Sequence, residues 1–207
     1  MTRPLRSLLL LSCVLALGAC ASDPPALLAL PAAGPPALAP VAGASTTVLL
    51  RPVRIPGYLD GLTVVTRRAG GEVAVAPDTE WAERLGDGTT RVLAGALDTR
   101  LGPGNLLIEG DGRIPDADLS LEIIRMDPAD GRLVLQARWT LVGSRGEPRT
   151  VRAGSEDLTV GLSGGTAADV AAATSQALAG LADRLAGAVA SFPVQAEPVA
   201  PDQSSRR

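Results

Sequence analysis

Two stretches of the chain alternate strictly between apolar and polar positions: Leu119, Leu121 and Ile123, then Leu133, Leu135, Ala137, Trp139 and Leu141. A period of two puts one set of side chains on one face of an extended strand, so the pair reads as a β-hairpin. Asp127-Pro128-Ala129-Asp130-Gly131 supplies its turn chemistry. A second turn at Ser144-Arg145-Gly146-Glu147 predicts a return strand from Pro148 to about Leu158. Upstream, Thr47–Val53, Leu62–Arg67 and Glu72–Val75 are β-favouring runs separated by Pro-Gly and Gly-Gly, and Asn105–Glu109 reads as another short strand. A different period governs two other segments. Trp81, Leu85, Thr89, Val92, Leu93, Ala96 and Leu97 recur at three- and four-residue steps, which predicts a helix from an Asp78 N-cap to about Leu101, weakened at Gly86-Asp87-Gly88. Thr166 with Asp169 opens a second helix whose face carries Val170, Leu178, Leu181, Leu185 and Val189. Strands, helix, strands, helix is the order of an α+β fold: a single domain in which two helices cover one face of a largely antiparallel sheet.

The ends of the chain follow other rules. Residues 2–7 are short and basic, residues 8–17 almost wholly apolar, and Leu17-Gly18-Ala19 places small residues before Cys20. This is the tripartite pattern of an export signal over residues 1–19. An apolar run of about ten residues spans only ~15 Å as a helix, half of a ~30 Å hydrocarbon core, and makes a poor permanent span. Leu17-Gly18-Ala19-Cys20 resembles the lipobox of bacterial lipoproteins, which implies cleavage before Cys20 and acyl chains on it. Ala21, rather than aspartate, follows the cysteine and favours the outer membrane. Residues 20–46 are rich in proline and alanine and read as a tether, with an edge strand at Leu27–Leu30 as the alternative. The folded domain is expected over residues 47–192 and a disordered tail over 193–207.

Composition narrows the chemistry. The chain has no histidine and, among its 19 basic residues, no lysine, so a Ser-His-Asp triad, a Cys-His pair, a Ser-Lys pair and a Schiff base are all excluded. Removing Arg3 and Arg6 with the leader leaves 17 arginines against 22 acidic residues, a balance of −5 that argues against nucleic acid. The mature chain would keep only Cys20 of its two cysteines, too few for an internal disulfide or a cysteine metal site. The carboxylate pairs Glu80/Glu83, Asp116/Asp118 and Asp127/Asp130 could serve acid–base hydrolysis, but they sit where helix starts and turns favour acidic residues, and Asp127–Asp130 lacks the ligand spacing of a calcium loop. No catalytic residue, metal or cofactor is therefore expected. Aromatics make up 2% of the chain, which leaves Leu, Val and Ala to fill the core; Trp81 and Trp139 lie on apolar stripes and belong inside. The sole tyrosine stands on a proline-glycine loop, Ile55-Pro56-Gly57-Tyr58-Leu59-Asp60. Ile55, Pro56, Tyr58 and Leu59 are candidates for docking a partner; alternatively Tyr58 and Leu59 fold back over the sheet.

Val53–Asp60, Val64-Val65-Thr66-Arg67, Glu80–Leu85 followed by Arg91-Val92-Leu93, and Ala137-Arg138-Trp139 together resemble the auxiliary lipoproteins of ABC-type and MCE-type transport systems, the PqiC (YmbA-like) group. The resemblance implies a non-enzymatic component of an intermembrane lipid transport system. It would be anchored at the periplasmic face of the outer membrane, would work with an MCE-domain membrane protein, and could form a homo-oligomer. The competing reading is an assembly or scaffold lipoprotein unrelated to lipid transport.

Overall fold

The computed structural model describes residues 24–36, 46–67, 71–146 and 148–193. The leader, Cys20 and residues 194–207 of the expected tail lie outside the described residues. The elements in chain order are β1 (Ala26–Leu28), β2 (Val48–Leu50), β3 (Thr63–Arg67), β4 (Val73–Trp81), α1 (Leu85–Leu101), β5 (Leu106–Leu107), β6 (Ala117–Ala129), β7 (Arg132–Gly143), β8 (Val151–Gly161) and α2 (Ala167–Ala190). The class is α+β, but the strands divide into two mixed sheets, β1-β4-β3 and β5-β2-β6-β7-β8. β2 runs parallel to both β5 and β6, and β1 runs parallel to β4, while the long ladders β6-β7-β8 are antiparallel.

The hairpin forms where the alternation placed it, and Leu119, Leu121, Ile123, Leu133, Leu135, Ala137, Trp139 and Leu141 are all buried. Its turn is shorter than expected. Asp130 and Gly131 alone close it, with φ of 50° and 72°, a two-residue turn whose twist matches that of the flanking strands. Asp127 and Pro128 are therefore strand residues. β6 carries a bulge between Ile123 and Arg125, so its second half is out of phase with its first.

The final helix starts as expected: the Thr166 hydroxyl accepts from the Asp169 amide and the Asp169 carboxylate accepts from the Thr166 amide. α2 packs on α1 and on β7 and β8. Two close approaches fix these layers. A Cβ at Gly154 on β8 would stand 2.5 Å from Cζ2 of Trp139 on β7, and one at Gly180 on α2 would stand 2.8 Å from Leu158.

Two expectations are corrected. The first helix begins at Leu85, not Asp78: β4 continues through Trp81, and Asp78 sits inside it with φ 55°. Trp81 and Leu85 are both buried at a helical spacing, yet the first belongs to a strand and the second to a helix, so the apolar period ran through the junction. Gly86 and Gly88 consequently lie in the first turn, where a Cβ would meet Asp60 Oδ1 at 3.0 Å and Glu83 Oε1 at 3.2 Å. The second correction concerns residues 20–46. The edge-strand alternative holds in part of this segment: Ala26–Leu28 pairs with Thr79–Trp81, and Leu30 is only 4% exposed. Ser175 of α2 donates to the Pro31 carbonyl at 2.7 Å. Prolines at 24 and 25 confine the strand to an edge without preventing it.

Replacing Gly154 with alanine should lower stability by about 1–3 kcal/mol, because the added Cβ would stand 2.5 Å from a rigid indole ring that must then shift. Urea unfolding that shows no loss would contradict the Trp139–Gly154 contact.

Candidate functional site

The loop between β2 and β3 turns at Pro56, whose carbonyl accepts from the amides of Leu59 (2.9 Å) and Asp60 (3.2 Å). The turn sends three successive side chains in three directions. Leu59 is 2% exposed and part of the core, Tyr58 is 42% exposed, and Asp60 reaches the start of α1. Arg84, the N-cap residue, offers α1 no side-chain acceptor. Asp60 takes that place: it accepts from Arg84 Nη2 at 2.8 Å and from the Gly86 amide. Arg84 first, and that amide after it, hold the Asp60 carboxyl below the usual carboxylate range.

Tyr58 lies over a seam between the sheets. β3 runs beside β6, but no ladder pairs them; side chains bridge the gap. Tyr58 Oη donates to Asp127 Oδ1 (2.5 Å), Arg67 Nε donates to Asp127 Oδ2 (2.7 Å), and Arg67 Nη2 donates to Tyr58 Oη (2.9 Å). Arg125 Nε adds a third bond to Asp127, at 3.2 Å to Oδ2. The Arg67 guanidinium also stands 5.4 Å from the centroid of the tyrosine ring. The Asp127 side chain is 1% exposed, whereas those of Arg67 and Arg125 are 29% and 36% exposed. Burial first, and the bond to Asp127 second, push the Tyr58 hydroxyl above the usual tyrosine value, with Arg67 opposing. The result is a rigidly held aromatic flanked by two arginines that share one carboxylate.

Of the four docking candidates, Tyr58 alone presents a large exposed surface. Pro56 forms the turn, Ile55 packs against the core, and Leu59 is inside it, so Leu59 cannot meet a partner without unfolding the loop. Arg67, Arg125 and Asp127 are not among the docking candidates of the sequence; Asp127 enters there only as a carboxylate paired with Asp130. Asp127 reads as a turn residue until the bulge in β6 is known, and two of its three partners, Arg67 and Tyr58, lie 60 and 69 residues away.

Three of the remaining candidate carboxylates, Asp116, Asp118 and Glu83, are engaged structurally. Asp116 accepts from the amide and the hydroxyl of Thr47, both at 2.8 Å, and Asp118 pairs with Arg51 at 2.8 Å. Glu83 precedes α1 and binds Arg91, while Glu80 lies in β4, so these two do not share a helix face. Among the described residues, no group of three acidic or cysteine side chains converges as a metal site would require.

A family model for the ABC-type transport auxiliary lipoprotein component matches residues 28–186. No curated protein matches the sequence. Among solved structures, a protein of Xanthomonas campestris described under the family model DUF330 is 18% identical, with a TM-score of 0.64 over 79% of this chain and 94% of that one. A second structure, described only as an uncharacterized protein, is 16% identical, with a TM-score of 0.65 over 81% and 99%. At these identities the two structures speak for the fold.

Because Tyr58 is the sole tyrosine, its ultraviolet titration is unmixed with any other. The folded protein should titrate above the ordinary value of about 10, and the urea-unfolded chain should return to it. The proton is held more tightly in the folded state, so this contribution to stability is present below the unfolded pKa and is lost as pH rises through the folded one. A folded midpoint at or below the unfolded one would contradict the geometry. Asp127→Asn should cost about 2 kcal/mol, the order of one charge-assisted hydrogen bond, in a urea titration at neutral pH.

Proposed function

Because the chain belongs to the family of ABC-type transport auxiliary lipoprotein components, we propose that it is the non-enzymatic, lipid-anchored member of an MCE-type intermembrane lipid transport system. In this reading it docks the periplasmic transporter at the outer membrane. The observation that carries it is the family match across 28–186, which spans every element from the end of β1 into α2. Supporting it are the lipobox-like Leu17-Gly18-Ala19-Cys20, with Ala21 after the cysteine, and a chain without histidine or lysine in which Asp116, Asp118 and Asp127 are bound by other parts of the fold.

An accessory of this kind works by holding surfaces together. Acyl chains on Cys20 supply one attachment, and two or more chains hold a protein stably on a bilayer. The second is a protein surface, and Tyr58 with Arg67 and Arg125 has the character of an interface anchor: an aromatic of few rotamers, immobilised before binding, beside guanidiniums with donors to spare. Immobilisation in advance lowers the entropy lost on docking.

Affinity capture of the full-length lipoprotein from envelope membranes should recover an MCE-domain membrane protein, identified by mass spectrometry. Tyr58→Ala should reduce that recovery at least about tenfold, the scale of one interface anchor, while Tyr58→Phe retains most of it. Leu59 is left intact because truncating it opens the core. A wild-type bait that brings down only unrelated envelope proteins sinks the proposal.

A further inference from the structure

The outward face of the small sheet carries an apolar row. Leu28 and Trp81 are paired and face the core with Ala76. The β3–β4 register shifts between Val75 and Glu80, where Asp78 has φ 55°, so Val73 and Val75 point away from the side of Ala76 and Trp81. Leu27, paired with Glu80, shares that outward side; at the β3 edge the same side carries Val65 and Arg67, the register partners of Val75 and Val73, which turn to the core and to Asp127 at the seam. Leu27 is 69%, Val75 58% and Val73 43% exposed, three of the more exposed large apolar residues among those described.

What covers this row follows from where the chain comes from. β1 is parallel to β4, with Ala26 opposite Thr79. The residues before Ala26 therefore leave on the side of β4 that leads back to Val75 and Val73. Cys20 lies six residues before Ala26, a reach of at most about 20 Å. In the register of β3, Val75 lies two residues and Val73 four residues from the level of Glu80, roughly 7 and 13 Å. A domain of this size is roughly 35–40 Å across, so such a leash keeps its β1 end within about half a domain width of the surface in which the acyl chains sit.

We propose that the outward face of the β1-β4-β3 sheet, through Leu27, Val73 and Val75, rests on the phospholipid bilayer that holds the Cys20 acyl chains. The inference rests on the reading of Cys20 as the acylated residue. Shallow burial of branched aliphatic side chains at the boundary of headgroups and chains is favourable, and the half-buried Glu80 carboxylate beside Leu27 sits at headgroup depth. Contact on this face fixes how the domain stands on its membrane, which an acyl anchor on a free tether would leave undefined.

The mature chain offers a clean test, since Cys20 is its only cysteine and acylation would block it. The full-length lipoprotein is purified from envelope membranes and reconstituted in phosphatidylethanolamine–phosphatidylglycerol vesicles. Leu27→Cys, Val75→Cys and Ser120→Cys variants are each labelled with an environment-sensitive fluorophore and exposed to brominated lipid. Ser120 is exposed on β6, about 23 Å along the strand from Asp127 at the seam. Labels at 27 and 75 should be quenched at least about twofold more than the label at 120, the contrast expected between the acyl boundary and water. Equal quenching at all three sites, with wild-type protein floating with vesicles and refusing thiol label, overturns this proposal and leaves the anchor intact. Wild-type protein that takes label at Cys20 and fails to float overturns both.

Discussion

One buried carboxylate holds the two sheets together. Asp127 is almost wholly removed from water, and an ionised group there is tolerable only because Tyr58, Arg67 and Arg125 all donate to it. Those donors come from a loop, from β3 and from β6 itself, so one charge fixes the position of a sheet edge that no backbone ladder secures. The consequence spreads along three consecutive residues. Tyr58 is held at the seam, Leu59 is thereby driven into the core, and Asp60 is delivered to the bare start of α1. A loop that looks like a surface projection is a rivet whose exposed head is the tyrosine ring.

Legibility in the sequence tracked how local the determining physics is. The β6–β7 alternation and the Thr166–Asp169 box depend on neighbours within a few residues, and both were readable. Every apolar residue assigned to the face of α2 is buried. The start of α1 was misplaced because its acidic partner comes from Asp60, 26 positions before Gly86, while Asp78 offered a nearer decoy. β1 was visible only as an alternative, since its evidence is a short apolar run among prolines and its partner lies more than 50 residues away. For the candidate site, the tyrosine loop could be found from composition and turn chemistry. The arginines and Asp127 that define its geometry could not, because a one-residue bulge decides which way Asp127 points.

Scarcity of aromatics shapes the packing. With few large rings, the layers close through small residues: alanines line the buried side of α2, Gly180 lets it approach Leu158, and Gly154 makes room for the indole of Trp139. That indole donates to Glu156 at 3.2 Å, and Glu156 binds Arg184 of α2 at 2.8 Å. A polar relay thus ties β7, β8 and α2 where side-chain bulk is lacking.

β1 is where a pull on the preceding segment would be met. Tension arriving at Ala26 meets three residues paired side by side with β4, with Leu30 seated in the core just beyond. With this clasp shut, position 20 stays within about 20 Å of Ala26; with residues up to Thr46 released, the same chain would span roughly 85 Å. Three strand residues and one leucine therefore work as the adjuster on a mooring line, setting how far the body of the domain can stand from whatever holds the chain ahead of it.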